Sequence, residues 1–495
     1  MRFLPLALAL LTGTASAQPC TNGTVTDGSG TTYACDGVDL LARISPQDLG
    51  APPFAQCPSR ACLNDIWGWT DEQTGREYAL VGVSNGTAFV DVTTPEAPVP
   101  IGRLPTATGP STWRDVKVHA NHAYIVSEAA NHGVQVFDLR QLRGLSEDAS
   151  RTFTANARVG RFNAHNIAVD TEAARAYSVG GQCGGGLDIY DLSTPGAPAQ
   201  LACYSGGGYT HDAQCVTYNG PDADYSGHQI CFGFNEDRIE ITDVTDPQNI
   251  LSIANGFYPS PGYTHQGWLT DDGRFLLVND EGDETFGQST RTLVMDVEDL
   301  DNPGFAFAYE HDTNTVDHNL YVRDGFAYEA NYNHGLRILD LAEIGAGALS
   351  LAAFFDTFPA SLDGVRDDFD GAWSVYPFFE SGTLIVSDQV YGLFVLRATA
   401  LPSGSVEPPV SGGFGLGAVT PNPAGGRARV AVEGVAFGQA VRFTVLDSQG
   451  REVAAVVRLA GGVAEVDTSS LAPGVYRLRA VSAGETVSVP VVVAR

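Results

Sequence analysis

The chain is almost without lysine: of its 28 basic residues, only Lys117 is a lysine and the rest are arginines. It has no run approaching the ~18 apolar residues that a membrane-spanning helix needs, so it is not expected to cross a bilayer as a helix. No CxxC pair is present, which argues against a thiolate zinc site. GxSxG and HExxH are both missing, and with them the nucleophile elbow and the zincin helix. The string GGQCGGG (180–186) lacks the strand–GxGxxG–helix setting of a nucleotide cradle and reads as a loop. NDEGDETFGQST carries the charge of a calcium loop without EF-hand spacing, and DDFDG (367–371) is as weak a signal. Positive charge is scarce as well. The formal net charge is −30, and residues 18–413 hold 19 basic against 52 acidic side chains. Such a surface repels nucleic acid and anionic lipid and suits cations.

What is present starts with MRFLPLALALLTGTASA (1–17), a positive residue, a short Leu/Ala core and Ala15-Ser16-Ala17 before Gln18. This pattern is that of a secretory signal peptide. Eight cysteines follow it, an even number that reads as disulfides in an oxidising compartment.

One strand then recurs seven times: GTAFVDV (86–92), GVQVFDL (133–139), GLDIYDL (186–192), RIEITDV (238–244), RTLVMDV (291–297), GLRILDL (335–341) and GLFVLRA (392–398). Its terminal Asp falls at 91, 138, 191, 243, 296 and 340, with Arg397 in the seventh place. A period of about 40–50 residues with four short strands per unit is the signature of a β-propeller. The Asp-Ser/Thr-Pro turns that follow let each carboxylate accept a backbone N–H two residues on, so these aspartates are read as structural.

The fold expected is therefore all-β: a seven-bladed propeller over 65–398, whose innermost strands begin near Ile66, Val116, Asn166, Ala213, Gly267, Asn319 and Trp373. Blade seven runs out of chain after three strands. VDLLARI (38–44), in the N-terminal segment 18–64, is the spare strand expected to close the ring and remove its exposed edge. On this assignment Cys183–Cys203 and Cys215–Cys231 each close within one blade, and Cys20–Cys35 and Cys57–Cys62 staple the N-terminal segment. A Pro/Gly/Ser linker (399–415) leads to alternating strands over 416–495, enough for a small β-sandwich.

The strings GLDIYDLSTPGAP, YTHDAQCVTYNGPDADY, YTHQGWLTDDGRFLLVNDEGDE, VDHNLYV, NYNHGLRILDL and GAWSVYPFFESGTLIVSD resemble the choice-of-anchor B family, secreted propellers with LVIVD-type repeats. The resemblance covers about residues 38–397 and implies a fold and a surface location, with no catalytic residues to carry over. Three further strings, Pro421-Asn422-Pro423, Asp447-Ser448-Gln449-Gly450-Arg451 and Leu471-Ala472-Pro473-Gly474-Val475-Tyr476, resemble the C-terminal sorting domain of type IX secretion. That resemblance implies two partners: the type IX export machinery, and the surface polysaccharide to which such proteins are attached.

Loops d–a and b–c of a propeller open on one face, and four blades place a histidine just before strand a there: His165, His211, His265 and His318. Asp65, Asp115 and Asp212 stand beside the same position, and the b–c loops add Glu128, Asp280, Glu281 and Asp388, among others. Imidazoles with carboxylates suit a divalent transition metal, and the acids alone suit calcium. Two readings of the face follow. It is the site of a secreted or surface-anchored binding or scaffold protein for an extracellular ligand or metal, or it serves a metal-dependent hydrolase or oxidase. Against both stands a third role for the histidines, locking neighbouring blades through backbone hydrogen bonds.

Overall fold

Each repeat folds as a four-stranded antiparallel sheet because its apolar runs are short, β-branched and cut by Gly, Asp and Pro turns. The computed structural model of the chain describes residues 17–359, 369–399, 401, 415–420, 424, 426–433, 441–446, 451–460, 463–482 and 485–493. The segment expected to be a signal peptide (all but Ala17), most of the expected linker, Pro421-Asn422-Pro423 and residues 447–450 lie outside these residues. The chain divides into two compact units, 1–404 and 405–495.

Among its described residues the larger unit contains seven sheets in chain order. Their innermost strands are Leu63–Asp71, Arg114–His119, Asn166–Asp170, Asp212–Thr217, Thr264–Leu269, Asn319–Arg323 and Ala372–Tyr376. Each lies against the next and the last lies against the first, so the ring is closed. Packing follows from the two-residue period of a strand. In Phe275–Asp280, Leu276 and Val278 pack with blade four, while Phe275 and Leu277 pack with blade six. Both faces of a blade are thus buried, which is why its middle strands read as continuous apolar runs. Seven such clusters join neighbouring blades around the ring, the last joining blade seven to blade one.

Blade seven supplies Ala372–Tyr376, Thr383–Asp388 and Gly392–Ala398, and Val38–Ile44 completes it, paired from Val38 opposite Ala398 to Ile44 opposite Leu393. Closure by residues 38–44 is therefore as the sequence implies. The sequence held no sign of one further element. The hairpin Thr24–Thr26/Thr32–Asp36 adds to the outer edge of blade six, with Cys35 opposite Phe355. Two short strands outside the repeat carry no periodicity from which such pairing can be read. All four expected disulfides form, Cys20–Cys35, Cys57–Cys62, Cys183–Cys203 and Cys215–Cys231.

The repeat aspartates fill their turn role. Asp91, Asp138, Asp191, Asp243, Asp296 and Asp340 each accept the N–H two residues on, at 2.7–3.0 Å. In the smaller unit, two four-stranded antiparallel sheets bury Val430, Val445, Ala464, Val466, Leu478 and Val491 in one core. Among the described residues no helix is long and apolar enough to cross a membrane.

Candidate functional site

Where strand a of blade five begins, Thr264 pairs with Asp280 and Gln266 with Asn279, leaving His265 as a bulge. A bulge re-aims the side chain it leaves unpaired. His265 stacks between histidines from the two neighbouring blades, and the four imidazoles form an arc. Ring centroids lie 4.2 Å apart for His165–His211, 4.3 Å for His211–His265 and 4.3 Å for His265–His318. The equivalent positions of blades one, two and seven hold Asn64, Arg114 and Trp373. The Trp373 ring ends the arc 4.8 Å from His318. The Arg114 guanidinium turns aside to the Val83 carbonyl, the Thr106 hydroxyl and His132.

Hydrogen bonds fix which nitrogen His211 and His318 offer. His211 Nδ1–H donates to the His265 carbonyl (3.0 Å) and His318 Nδ1–H to the Trp373 carbonyl (2.6 Å), each on the following blade. His165 Nδ1 bonds Glu128 Oε1 at 2.6 Å. A carbonyl can only accept, so Nδ1 carries the proton at His211 and His318 and Nε2 keeps its lone pair. These rings therefore do two things: one nitrogen locks adjacent blades and the other is free for a ligand. A metal-binding histidine is oriented in the same way.

Glu281 meets this arc. Its carboxylate lies 3.7 Å from His265 Nε2 and 3.8 Å from His318 Nε2, and it accepts the Tyr332 hydroxyl at 2.6 Å. One ligand atom each from His211, His265 and Glu281 falls within 4.8 Å of the others. Burial pushes the Glu281 carboxyl up to about 7; the Tyr332 bond opposes this and the Asp280 charge adds to it. Burial likewise pushes His318 down to about 3, with His165 adding to the effect, and holds His211 and His265 well below the usual imidazole range. The rings are thus neutral near pH 7, the state in which imidazole binds metal. Two imidazoles and one carboxylate form the donor set of zinc and non-haem iron sites that keep a position open. Large apolar side chains stand at the rim: Trp113, 41 % exposed, near His165, and Phe369, 51 % exposed, against Tyr332.

The remaining sequence candidates lie elsewhere. Asp280 is filled by the Tyr258 hydroxyl and the N–H groups of Gly262, Tyr263 and Gly282. Asp388 accepts Val390 N–H, Tyr391 N–H and the Thr357 hydroxyl. Both acids hold their loops together through these bonds. Asp65, Asp115 and Asp212 form a deeper belt around Lys117, whose ammonium lies 2.6 Å from Asp115 and 3.9 Å from Asp65.

Asp388 carries a pH signature. Burial raises its carboxyl to about 6 against three donors that lower it. The folded value lies above the unfolded one near 3.8. Its stabilising contribution is therefore present in full below about pH 4 and is lost as pH rises through 6, by about 3 kcal/mol at most. Urea unfolding of Asp388→Asn is expected to lack this decline, gaining on the wild type between pH 4.5 and 7. A difference that does not change with pH would count against the assignment.

Below the arc, the axis opens into a cavity of about 590 Å³ walled by Trp67, Trp268, Tyr321, Tyr376 and Phe378, with Lys117, Asp212, Gln214 and Gln266 among its polar lining. Trp67 meets Tyr321 and Tyr376 edge-on at 5.6 and 5.1 Å, and the Lys117 ammonium lies 4.7 Å from the Trp67 ring. Sequence reasoning missed Lys117 and Tyr332. The signal for Lys117 was its solitude among arginines; Tyr332 sits in an NYNH string with no chemical motif to mark it.

Residues 418–494 match the family described as secretion system C-terminal sorting domain. The chain is secreted or displayed at the cell surface. No curated protein matches it in sequence. Among solved structures it is similar to a protein from Lactobacillus plantarum, at 14% identity and TM-score 0.45, over 69% of this chain and 98% of that one. It is also similar to a periplasmic gluconolactonase from Pseudomonas aeruginosa, at 12% identity and TM-score 0.42, over 59% of this chain and 88% of that one. At these identities the likeness concerns the fold alone.

Proposed function

We propose that this chain is a surface-displayed binding propeller of the choice-of-anchor B type, holding one divalent transition-metal ion at His211, His265 and Glu281. The observation that carries the reading is the convergence of these three ligand atoms within 4.8 Å. The carbonyl-anchored Nδ1 atoms of His211 and His318 support it, because they pre-orient the rings at no cost in mobility when an ion binds. His318 Nε2, 3.8 Å from the Glu281 carboxylate, adjoins this set. The Trp113 and Phe369 rim gives an extracellular ligand an apolar edge to rest on. The acidity of residues 18–413 raises the local concentration of cations. In this reading the sorting domain hands the chain to a type IX secretion machinery and then to surface polysaccharide.

Metal analysis of the purified, disulfide-intact chain, after equilibration with zinc or iron(II) and removal of excess, is expected to find one ion per chain. The His211→Ala/His265→Ala/His318→Ala variant is expected to fold and to retain none. A wild type free of metal after this loading, or a triple variant that binds as much, sinks the metal role.

A further inference from the structure

Past Glu281, a second group of acids gathers at the junction of blades five and six. Asp283 and Glu284 open the short 3-10 turn Asp283–Phe286 in the loop between strands b and c of blade five. Asp317 comes from the loop entering blade six, one residue before His318. One oxygen of each lies within 4.8 Å of the others. Asp283 and Asp317 are fully buried, at 0 % exposure. Asp283 Oδ1, Asp317 Oδ1 and both Glu284 carboxylate oxygens are shielded from water, with no hydrogen-bond partner among the described residues. The second oxygens are taken: Arg291 Nε donates to Asp283 Oδ2 at 2.6 Å, and Asn279 Nδ2 donates to Asp317 Oδ2 at 2.7 Å. Asn279, itself buried, leaves its own Oδ1 without a donor among the described residues.

Three carboxylates face one guanidinium here, with the Asp280 charge close enough to act on all three, so their ionised forms lack compensating positive charge where water does not reach. Buried acceptors of this kind are rare without a partner, and buried like charges repel strongly at short range. The donors are all oxygen, which selects a hard cation over a transition metal. Calcium takes its ligands from protein oxygens at roughly 2.3–2.6 Å in a flexible geometry, whereas magnesium keeps several waters, for which a buried site of carboxylates has little use.

We propose that Asp283, Glu284 and Asp317 bind a calcium ion that fastens blade five to blade six. The ion supplies the missing positive charge and ties the loop carrying Glu281 to the strand entry carrying His318. It is a separate site from the histidine arc: it shares no ligand with the arc and does not depend on it.

Thermal unfolding of the full chain tests this in chelator, in calcium and in magnesium at the same concentration. Calcium is expected to raise the midpoint by several degrees and magnesium by much less. Calorimetry is expected to count one calcium of this class per chain. Glu284→Gln/Asp317→Asn is expected to lose the calcium shift and to melt in chelator no lower than the wild type, because the amides remove the repulsion. Should the double variant not fold, Glu284→Gln alone is read in the same way. Asp299→Asn/Asp301→Asn, in the exposed Asp222/Asp299/Asp301 group, is expected to keep the full shift. The proposal is overturned by a wild type indifferent to calcium, by a shift that survives in the Glu284 variants, or by one that vanishes in the exposed-cluster variant. A midpoint that rises on acidification but not with calcium also overturns it, since the acids would then be sharing protons.

Discussion

Removing residues 18–50 is expected to unfold the ring rather than trim a tail. The segment bridges two blades, with a hairpin paired to the edge of blade six and Val38–Ile44 paired to Gly392–Ala398 of blade seven. Tyr33, Val38, Leu40, Leu41 and Ile44 are all buried, and they enter the cluster between blades six and seven and the one between blades seven and one. Full burial of five such side chains is worth about 8–15 kcal/mol as an upper bound, comparable with the ~5–15 kcal/mol that holds a whole domain folded. The truncated chain is also left with the Gly392–Ala398 edge unpaired, an aggregation template. The expected result is loss of the cooperative transition in calorimetry, with aggregation on expression. A truncated protein that melts cooperatively within a few degrees of the full chain would show that the ring closes without this strand.

The second large effect concerns Lys117. Among the described residues its ammonium is the cation of the axial belt, and it faces Asp115, Asp65 and Asp212. Burial alone would lower its pKa, but the surrounding acids outweigh that and raise it, so it stays charged. Lys117→Met keeps much of the stem's packing against Trp67 and strands the carboxylates. Removing one partner of a buried ion pair typically costs about 3–5 kcal/mol. The deficit should depend on pH. Burial already lifts Asp212 to about 7 and Asp65 well above the ordinary range, and in both Lys117 opposes the rise. With Lys117 gone both move higher, further above their unfolded values. Their protonated forms favour the fold at low pH, and that support is lost as pH rises through the folded values. Denaturant unfolding is therefore expected to show a smaller deficit at pH 5 than at pH 8. An equal deficit at both would mean that Lys117 acts through packing alone.

The fold was legible because one strand recurs with a turn residue at a constant place, and because burial on both faces leaves the middle strands uniformly apolar. The missing fourth strand of blade seven could be counted, and VDLLARI had the length to supply it. The histidine arc was legible for the same reason of register, since four imidazoles precede four equivalent strands. What each side chain meets was not legible. An acid closing strand b looks the same in sequence whether, like Asp280 and Asp388, it gathers backbone donors or, like Glu281 one residue later, it turns to the arc. The sequence marks Lys117 only by its solitude among arginines, because Asp65 and Trp67 belong to the neighbouring blade. Asp317 and Glu284 are 33 positions apart, and only the seam between blades five and six brings them together.

The most direct test of the account is anomalous diffraction from crystals of the full chain grown with zinc and measured on either side of the zinc edge. The expected result is one strong zinc peak about 2.0–2.2 Å from His211, His265 and Glu281, with both ring donors coordinating through the nitrogen that faces the carboxylate. A peak held elsewhere, or none here at saturating zinc, would contradict it and leave the histidines as locks between blades.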